Sequence, residues 1–492
     1  MSEPTKVLGH KIRSGTRWTL LGSTITEFLN FAVGIVLARL LLPEDFGAVA
    51  TVGVLTGIAG FFSGAGTGQG LVRSKEVARI HFDVVFTLQL LMGCVIYVIF
   101  VAIASPFADF FGKPLYHTLL LVSGLSFFLR PFLNMPTLRL HRDMRFGPTT
   151  IVNVLSLIVS SSLSAALAWN GYGPWSLVAG GLFGSLVSAL VLNLYVRQRY
   201  TIRWDVQVAK ELGVYGAKVA TNNLIEHFRN QSLILILSKI SGPSDVGFFN
   251  RSSSLSAVPM RVIGTSPYQA VFRALAAEQD NLDKSQYLYF RTVSLVLVYT
   301  LPLYALTWWL AEPGIRFIYG NNWIASAEPL AILAISGILV CIGNPSGAVI
   351  EARNRVATEI WLNISAWVVL IGGVVYGVRW GLVGVAWAVV AMRVLYFSSL
   401  TIVAIRELKG SFASLASAIT PALVLNTLLI AVLVLADRLF FHRYAEAFPG
   451  LYASSMAAIG GIAYAVAFLF LPIGSLKTEA AKWRKTLLMR NP

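Results

Sequence analysis

Leu212-Gly-Val-Tyr-Gly-Ala-Lys218-Val-Ala-Thr-Asn222-Asn223-Leu-Ile-Glu226-His227-Phe-Arg229-Asn230-Gln-Ser-Leu233-Ile-Leu-Ile-Leu237 is a stretch of membrane-spanning length with a charged face. Lys218, Asn222, Glu226 and Arg229 recur at steps of four, four and three, which places them on one stripe of a helix. Asn223, His227 and Asn230 widen that stripe, and the remaining positions are apolar enough for a bilayer. A charge at the centre of a membrane helix costs roughly 2.5 kcal/mol or more, so such a stripe is expected to face a partner or a water-filled cavity. The stretch predicts a helix lining a hydrophilic cavity.

The rest of the chain agrees with a membrane setting. Of 492 residues, 56% are hydrophobic and only 13% charged, against about 25% charged in soluble domains. Mean hydropathy is +0.69. Cys94 and Cys341 lie far apart in apolar runs and suggest neither a disulfide framework nor a metal site. The net charge of +16 is spread over short loops, which points away from nucleic acid. Lys6, Lys11, Arg13 and Arg17 precede an apolar run without a small-residue cleavage site, so the first run is expected to be a retained span.

About 20 apolar residues cross a bilayer. On that measure the fold class is all-α, a polytopic membrane protein with about fourteen spans: 17–41, 46–71, 82–104, 115–133, 149–169, 174–196, 213–238, 251–272, 290–310, 326–349, 358–378, 381–404, 414–436 and 451–471. The seventh and eighth are polar for spans, the eighth carrying Ser252, Ser253, Ser254, Ser256 and Arg261. With the N-terminus inside, inner segments hold 25 Lys and Arg residues and outer ones 8. That asymmetry predicts an even span count with both termini cytoplasmic.

Residues 22–73 align without a gap on 222–273. Identities include Ile25/Ile225, Phe28/Phe228, Asn30/Asn230, Pro43/Pro243, Asp45/Asp245, Gly47/Gly247, Gly64/Gly264, Gln69/Gln269 and Arg73/Arg273, and Arg39 matches Lys239 in charge. Trp175-Ser-Leu-Val resembles Trp380-Gly-Leu-Val further on. This predicts two parallel six-helix repeats, 1–210 and 211–410, around a cavity, followed by two extra spans and a basic tail over 411–492. In the turns Pro43-Glu-Asp-Phe-Gly47 and Pro243-Ser-Asp-Val-Gly247, proline ends one helix, aspartate caps the next and glycine eases the turn. Gly53, Gly57, Gly60 and Gly64 form a small-residue face expected to let helices approach closely. They follow no strand and precede no Lys-Ser/Thr pair, unlike a phosphate loop.

Among charges within spans, Arg291 is expected to snorkel to the interface, and Arg130 and Arg393 to form structural pairs. Candidate cavity residues are Lys218, Asn222, Glu226, Arg229, Asn230 and Arg261, with Glu27, Asn30, Arg39, Gln69, Gln269 and Arg273 at repeat-related or adjoining positions. Glu27, Glu226 and His227 are candidates for proton coupling, His having an unperturbed pKa near 6.5. No HExxH, Walker A or nucleophile-elbow pattern is present, and no extramembrane segment is large enough for its own core, so an enzyme is not expected.

Taken as a set, Gly15-Thr-Arg-Trp-Thr-Leu-Leu-Gly22, Leu37-Ala-Arg-Leu-Leu-Leu-Pro-Glu-Asp-Phe-Gly47, Leu140-His-Arg-Asp-Met-Arg-Phe146 and Pro243-Ser-Asp-Val-Gly-Phe-Phe-Asn-Arg251 are a family pattern. Over roughly 10–410 the chain resembles the Wzx-type polysaccharide-transport flippases of the multidrug/oligosaccharidyl-lipid/polysaccharide superfamily, in the colanic-acid or exopolysaccharide exporter branch. The resemblance implies two lobes working by alternating access around a cationic cavity. It implies an undecaprenyl-pyrophosphate-linked oligosaccharide as cargo, moved outward across the bacterial inner membrane without a cofactor. A polysaccharide polymerase is a candidate partner. Lys218, Arg229 and Arg261 suit a pyrophosphate; Asn222, Asn223, Asn230, Gln69, Gln269 and Tyr268 suit sugars. Membrane potential and proton coupling both stay open as drives. Lipid II or a drug on the same scaffold, a membrane polymerase or ligase, and a non-transporting scaffold are the competing readings. The basic balance of the intramembrane charge, the short outer loops and the polar stripe count against the drug, the polymerase and the scaffold respectively.

Overall fold

The structure, a computed structural model, describes residues 3–65, 71, 78–210, 228, 231–263, 272, 274–275, 278, 281–441, 444–471, 473 and 476–488. Every regular element among them is helical. In hydrocarbon each backbone N–H and C=O must be satisfied within its own segment, which favours long uninterrupted helices. Ten of the described helices are long and apolar enough to cross a membrane, or eleven if the bent pair Asn321–Ile335 and Gly337–Ala352 is one span. One of the ten, Ala357–Glu407, has 51 residues and would be about 75 Å long if straight. It turns at Val378–Trp380 instead, and its halves pack side by side with Gly377 against Gly384, giving the expected pair of crossings. The expected seventh span lies largely outside the described residues apart from the apolar helix Gln231–Ile240, and description of the eighth stops at Ile263.

The chain forms two compact units, Met1–Gly247 and Phe248–Pro492. In the first, the helices in chain order are Glu3–Leu40, Pro43–Gly60, Arg79–Phe111, Leu115–Gly124, Ser126–Arg142, Phe146–Trp169 and Pro174–Val196. Its core gathers Val52, Phe100, Leu119, Leu120 and Phe127. Phe146–Trp169 and Pro174–Val196 close on each other through small residues. A Cβ on Gly180 would lie 1.9 Å from Ser164 Oγ, and one on Gly184 would lie 2.6 Å from Ser160 Cβ. The Ser156 hydroxyl donates to Gly184 O at 2.5 Å. With lipid outside as apolar as leucine, such close packing and hydrogen bonding are what join membrane helices.

The proline turns behave as their residues predict, and they meet. The Asp45 carboxylate accepts from the Leu42 N–H at 2.9 Å, closing the start of Pro43–Gly60. A Cβ on Gly47 would lie 1.7 Å from Pro243 O, and one on Gly247 would lie 2.0 Å from Pro43 O. The contact is reciprocal between repeat-related residues, all within the first unit. Beneath it Thr51 Oγ1 lies 2.9 Å from Ser238 Oγ, and Tyr116 OH lies 3.3 Å from the same oxygen.

The second unit packs Leu282–Trp309, Gly337–Ala352, Gly381–Glu407 and Phe412–Ala436 around Tyr289, Leu297, Val349, Ala404 and Leu425. Tyr289 OH lies 2.9 Å from Ser346 Oγ, which lies 3.2 Å from Thr401 Oγ1, so three of these helices share one buried polar cluster. Arg251 stacks on Tyr319 and Trp323, 5.6 and 5.7 Å from their ring centres. It lies in the packed helix Pro243–Ser256.

Two expectations about intramembrane charge change form. Arg130 and Arg393 pair with helix breaks, not with carboxylates. Arg130 Nη1 donates to Gly60 O at 3.0 Å and Ser63 Oγ at 2.9 Å, where Pro43–Gly60 gives way to the π-helical turn Phe61–Ala65, and its guanidinium lies 4.5 Å over Phe127. Arg393 Nη1 donates to Leu333 O at 3.2 Å and Ser336 Oγ at 2.7 Å, at the 48° bend between Asn321–Ile335 and Gly337–Ala352. A break frees carbonyls that lipid cannot satisfy, and a guanidinium with five donors can. Arg291 has a partner: it pairs with Glu479 of the C-terminal helix Lys477–Leu488 at 3.2 Å, both largely buried. The small-residue face of Pro43–Gly60 is also put to another use. Among the described residues nothing lies within 4 Å of a Cβ on Gly53, while the space at Gly60 admits Arg130.

Gly47→Ala is expected to lower the thermal unfolding midpoint in detergent, through overpacking of about 1–3 kcal/mol, while Gly53→Ala leaves it unchanged or raises it. Arg393→Gln is expected to cost about 1–3 kcal/mol by removing the charged donor that Leu333 O and Ser336 Oγ share, the Ser336 hydroxyl alone still donating to Leu333 O at 2.7 Å. A melt of Arg393→Gln beside Arg406→Gln, an exposed control, checks the second expectation.

Candidate functional site

The first helix presents two different faces. Gly22, Thr26, Leu29, Val33 and Leu37 recur at three and four residues and are its less exposed side. A Cβ on Gly22 would lie 2.3 Å from the Thr150 methyl, and one on Gly147 would lie 3.3 Å from the Trp18 ring, so glycines let this helix seat against Phe146–Trp169. Leu37 and Val33 continue the seam against Ala165 and Ala168. The opposite face is left exposed, and it carries Ser23, Thr24, Glu27 and Asn30 beside Phe28 and Phe31. A carboxylate and an amide one turn apart, flanked by two exposed aromatic rings, can offer hydrogen bonds and apolar contact together.

Glu27 and Asn30 are thus brought together on one face. Arg39, also exposed, lies in the last turn of the helix, about 18 Å further along its axis. Arg261 belongs to the second unit, in the short helix Val258–Ile263, and its guanidinium donates to Ser254 O at 2.7 Å. Lys218, Asn222, Asn223, Glu226, His227, Arg229, Asn230, Gln69, Gln269, Tyr268 and Arg273 lie outside the described residues. Among the described residues no group of three His, Cys, Asp or Glu could hold a metal ion.

Some features escape a reading of the sequence alone. Asp83 is wholly buried and accepts from Thr201 N at 3.1 Å and Thr201 Oγ1 at 2.9 Å, a tie across more than a hundred residues. The signal available in sequence is an aspartate four residues after Arg79 near a span end, which also suits an ordinary surface pair. The two arginines at helix breaks are visible in sequence as lone intramembrane charges, but not their partners, Ser63 three residues beyond one helix end and Ser336 directly after another.

The described fold has known counterparts. It is similar to the structure of the lipid II flippase MurJ in an inward closed conformation, with a TM-score of 0.73 over 96% of this chain and 100% of that one, at 14% identity. An inward-facing multidrug resistance transporter of the MATE family, in the MOP superfamily, matches with a TM-score of 0.60 over 77% of this chain and 94% of that one, at 17% identity. In sequence the chain is 21% identical to the lipopolysaccharide biosynthesis protein WzxC of Escherichia coli K12 over 75% of this chain and 76% of that protein. It is 26% identical to the succinoglycan biosynthesis transport protein ExoT of Rhizobium meliloti over 73% of each. The family described as polysaccharide biosynthesis protein matches residues 36–328, more than half the chain. With that match and a MurJ- and MATE-like fold of membrane-spanning helices, the chain belongs to the polysaccharide biosynthesis protein family as a multi-pass membrane transport protein.

Proposed function

We infer that this chain is a flippase that carries a lipid-linked oligosaccharide repeat unit across the bacterial inner membrane for surface or exopolysaccharide synthesis. The observation that carries this reading is the family match over residues 36–328. Relatives are named for lipopolysaccharide, succinoglycan and teichuronic acid biosynthesis, and one is named a transport protein. These products differ in their sugars, so what a shared transporter recognises is best sought in the part a lipid-linked precursor keeps constant. In our reading that part is an undecaprenyl pyrophosphate. The protein does no bond chemistry; it moves the cargo by alternating access of two lobes, 1–210 and 211–410, with 411–492 appended and both termini cytoplasmic.

The cationic groups proposed for the pyrophosphate are Lys218, Arg229 and Arg261, since guanidinium and ammonium donors match its oxygens. Asn222, Asn230, Asn30, Gln69 and Gln269 are proposed for the sugars, and Arg39 and Arg273 as charges at the ends of the route. The exposed pairing of Glu27 and Asn30 with Phe28 and Phe31 supports a face that meets an amphiphilic cargo. Glu27, Glu226 and His227 are the candidates for proton coupling. The alternative drive is the membrane potential, which favours outward movement of an anion by roughly 2.3 kcal/mol per charge per 100 mV.

Deleting the gene is expected to leave complete undecaprenyl-pyrophosphate repeat units on the cytoplasmic face and to abolish surface polymer. Unpolymerised units on the outer face would identify a polymerase instead, and accumulation of lipid II would identify a lipid II flippase. In the complemented strain, Lys218→Ala, Arg229→Ala and Arg261→Ala are each expected to cut export roughly tenfold or more at normal protein levels, each removing one charge-assisted hydrogen bond of about 1.5–3 kcal/mol. Normal export in all three would remove the cationic cavity. Glu27→Gln is expected to stop export driven by a pH gradient while sparing export driven by voltage if Glu27 carries the coupled proton; equal loss under both drives would assign Glu27 to cargo contact.

A further inference from the structure

At one end of the first unit, arginines from three separate segments line a concavity of about 680 Å³. Arg79 opens the helix Arg79–Phe111, Arg139 and Arg142 lie in the last turn of Ser126–Arg142, and Arg197 and Arg199 follow Pro174–Val196. Asp143 is the one acidic residue in the lining. Loop charge that only sets topology gains nothing by converging, because like charges repel; converging it in a concavity raises the potential there and favours an anion.

The concavity is held in shape. After Arg197, which has a left-handed φ of 53°, the chain runs without regular structure to Asp205, alongside the helix Arg79–Phe111. Arg79 donates to Arg199 O at 3.3 Å, the buried Asp83 accepts from Thr201, and Arg203 N donates to Thr87 Oγ1 at 3.0 Å. Residues 79, 83 and 87 step about 6 Å along a helix and meet 199, 201 and 203 in turn, so the two run in register. The Arg142 guanidinium donates to Leu71 O at 2.7 Å, and Arg139 bonds Gln198 Oε1. Burial pushes the Tyr200 phenol up to about 12, so it stays neutral beneath the arginines.

The residues that follow the arginines point to the ligand. Ile202 and Trp204 are 74% and 57% exposed, Val206 at the start of the next helical turn is 69% exposed, and Tyr195 near the end of Pro174–Val196 is also exposed. Exposed Trp and Tyr at the end of membrane helices mark the headgroup region. A soluble phosphate needs the arginines but has no use for this apolar rim; a phospholipid uses both.

We propose that this concavity binds the headgroup of an anionic phospholipid, its phosphate held by Arg139, Arg197 and Arg199 and its glycerol and acyl region lying against the Ile202–Val206 rim. None of the residues lining it is among those proposed for the cargo, and its test does not read transport. The full-length protein, purified in detergent, is titrated with cardiolipin and with phosphatidylcholine and followed by native mass spectrometry. The triple variant Arg139→Gln/Arg197→Gln/Arg199→Gln is expected to weaken cardiolipin binding on the order of a hundredfold, about fivefold per basic residue, and to leave phosphatidylcholine unaffected. The control Lys482→Gln/Arg484→Gln/Lys485→Gln removes the same charge from exposed positions of the C-terminal helix and is expected to change cardiolipin binding by less than about threefold. Equal weakening in both variants, or unchanged binding in the triple variant, would overturn the site. Displacement of bound cardiolipin by millimolar inorganic pyrophosphate alone would overturn the lipid as its ligand. If the triple variant is not monodisperse, Arg139→Gln and Arg199→Gln singly carry the test, each expected to weaken cardiolipin binding about fivefold.

Discussion

A backbone inside hydrocarbon has no water to turn to, and this one requirement organises the described structure. Long helices meet it without help. Wherever a helix stops short, something must replace the lost partner, and at two breaks that something is a buried arginine. Arg130 serves the carbonyl of Gly60 and the hydroxyl of Ser63; Arg393 serves Leu333 and Ser336. A charge that would be costly among lipids becomes affordable because the break supplies a carbonyl and a hydroxyl and the arginine supplies fixed donors. At Ser336 the break coincides with a 48° change of direction between Asn321–Ile335 and Gly337–Ala352.

The same requirement explains where small residues stand. Without a hydrophobic force between helices in lipid, association depends on close approach. Gly180 and Gly184 face Ser156, Ser160 and Ser164, and Gly377 faces Gly384. Gly47 and Gly247 are the most demanding case, because each would place a Cβ on the other turn's proline carbonyl. Repeat-related residues meeting reciprocally are what an internal duplication produces when its two copies come together about a local two-fold. The polar groups Thr51, Ser238 and Tyr116 below the turns are satisfied by one another, so close packing there leaves no orphaned hydroxyl.

Polar chemistry is concentrated at places the packing leaves open. The first helix commits its Gly22–Leu37 side to neighbours, and Glu27 and Asn30 remain on the other side. At the membrane face of the same unit, the stitch between Arg79–Phe111 and residues 199–203 turns scattered loop arginines into one basic concavity. The two sites differ in kind: the first mixes polar groups with aromatic rings, and the second is almost purely cationic.

Hydropathy, the repeat and the turns were legible in the amino-acid order because each depends on residues near one another in the chain. Partition into lipid is a property of composition over some twenty residues, and a proline turn is a property of five. Glu27 and Asn30 came into view through the repeat, as the positions matching the polar stretch of the seventh span, and the structure shows both exposed on the first helix. The fates of Arg130, Arg291 and Arg393 were not legible, since their partners stand 67, 188 and 57 residues away. The buried tie of Asp83 to Thr201, 118 residues on, and the convergence of arginines from three segments are likewise absent from any local pattern. The sequence by itself determined that this is a helical membrane protein with two matching proline turns, because lipid solubility and turn chemistry are local. Only the tertiary structure decided which face of each helix is used and which charge meets which partner, because those energies belong to pairs of residues that the fold alone brings within reach.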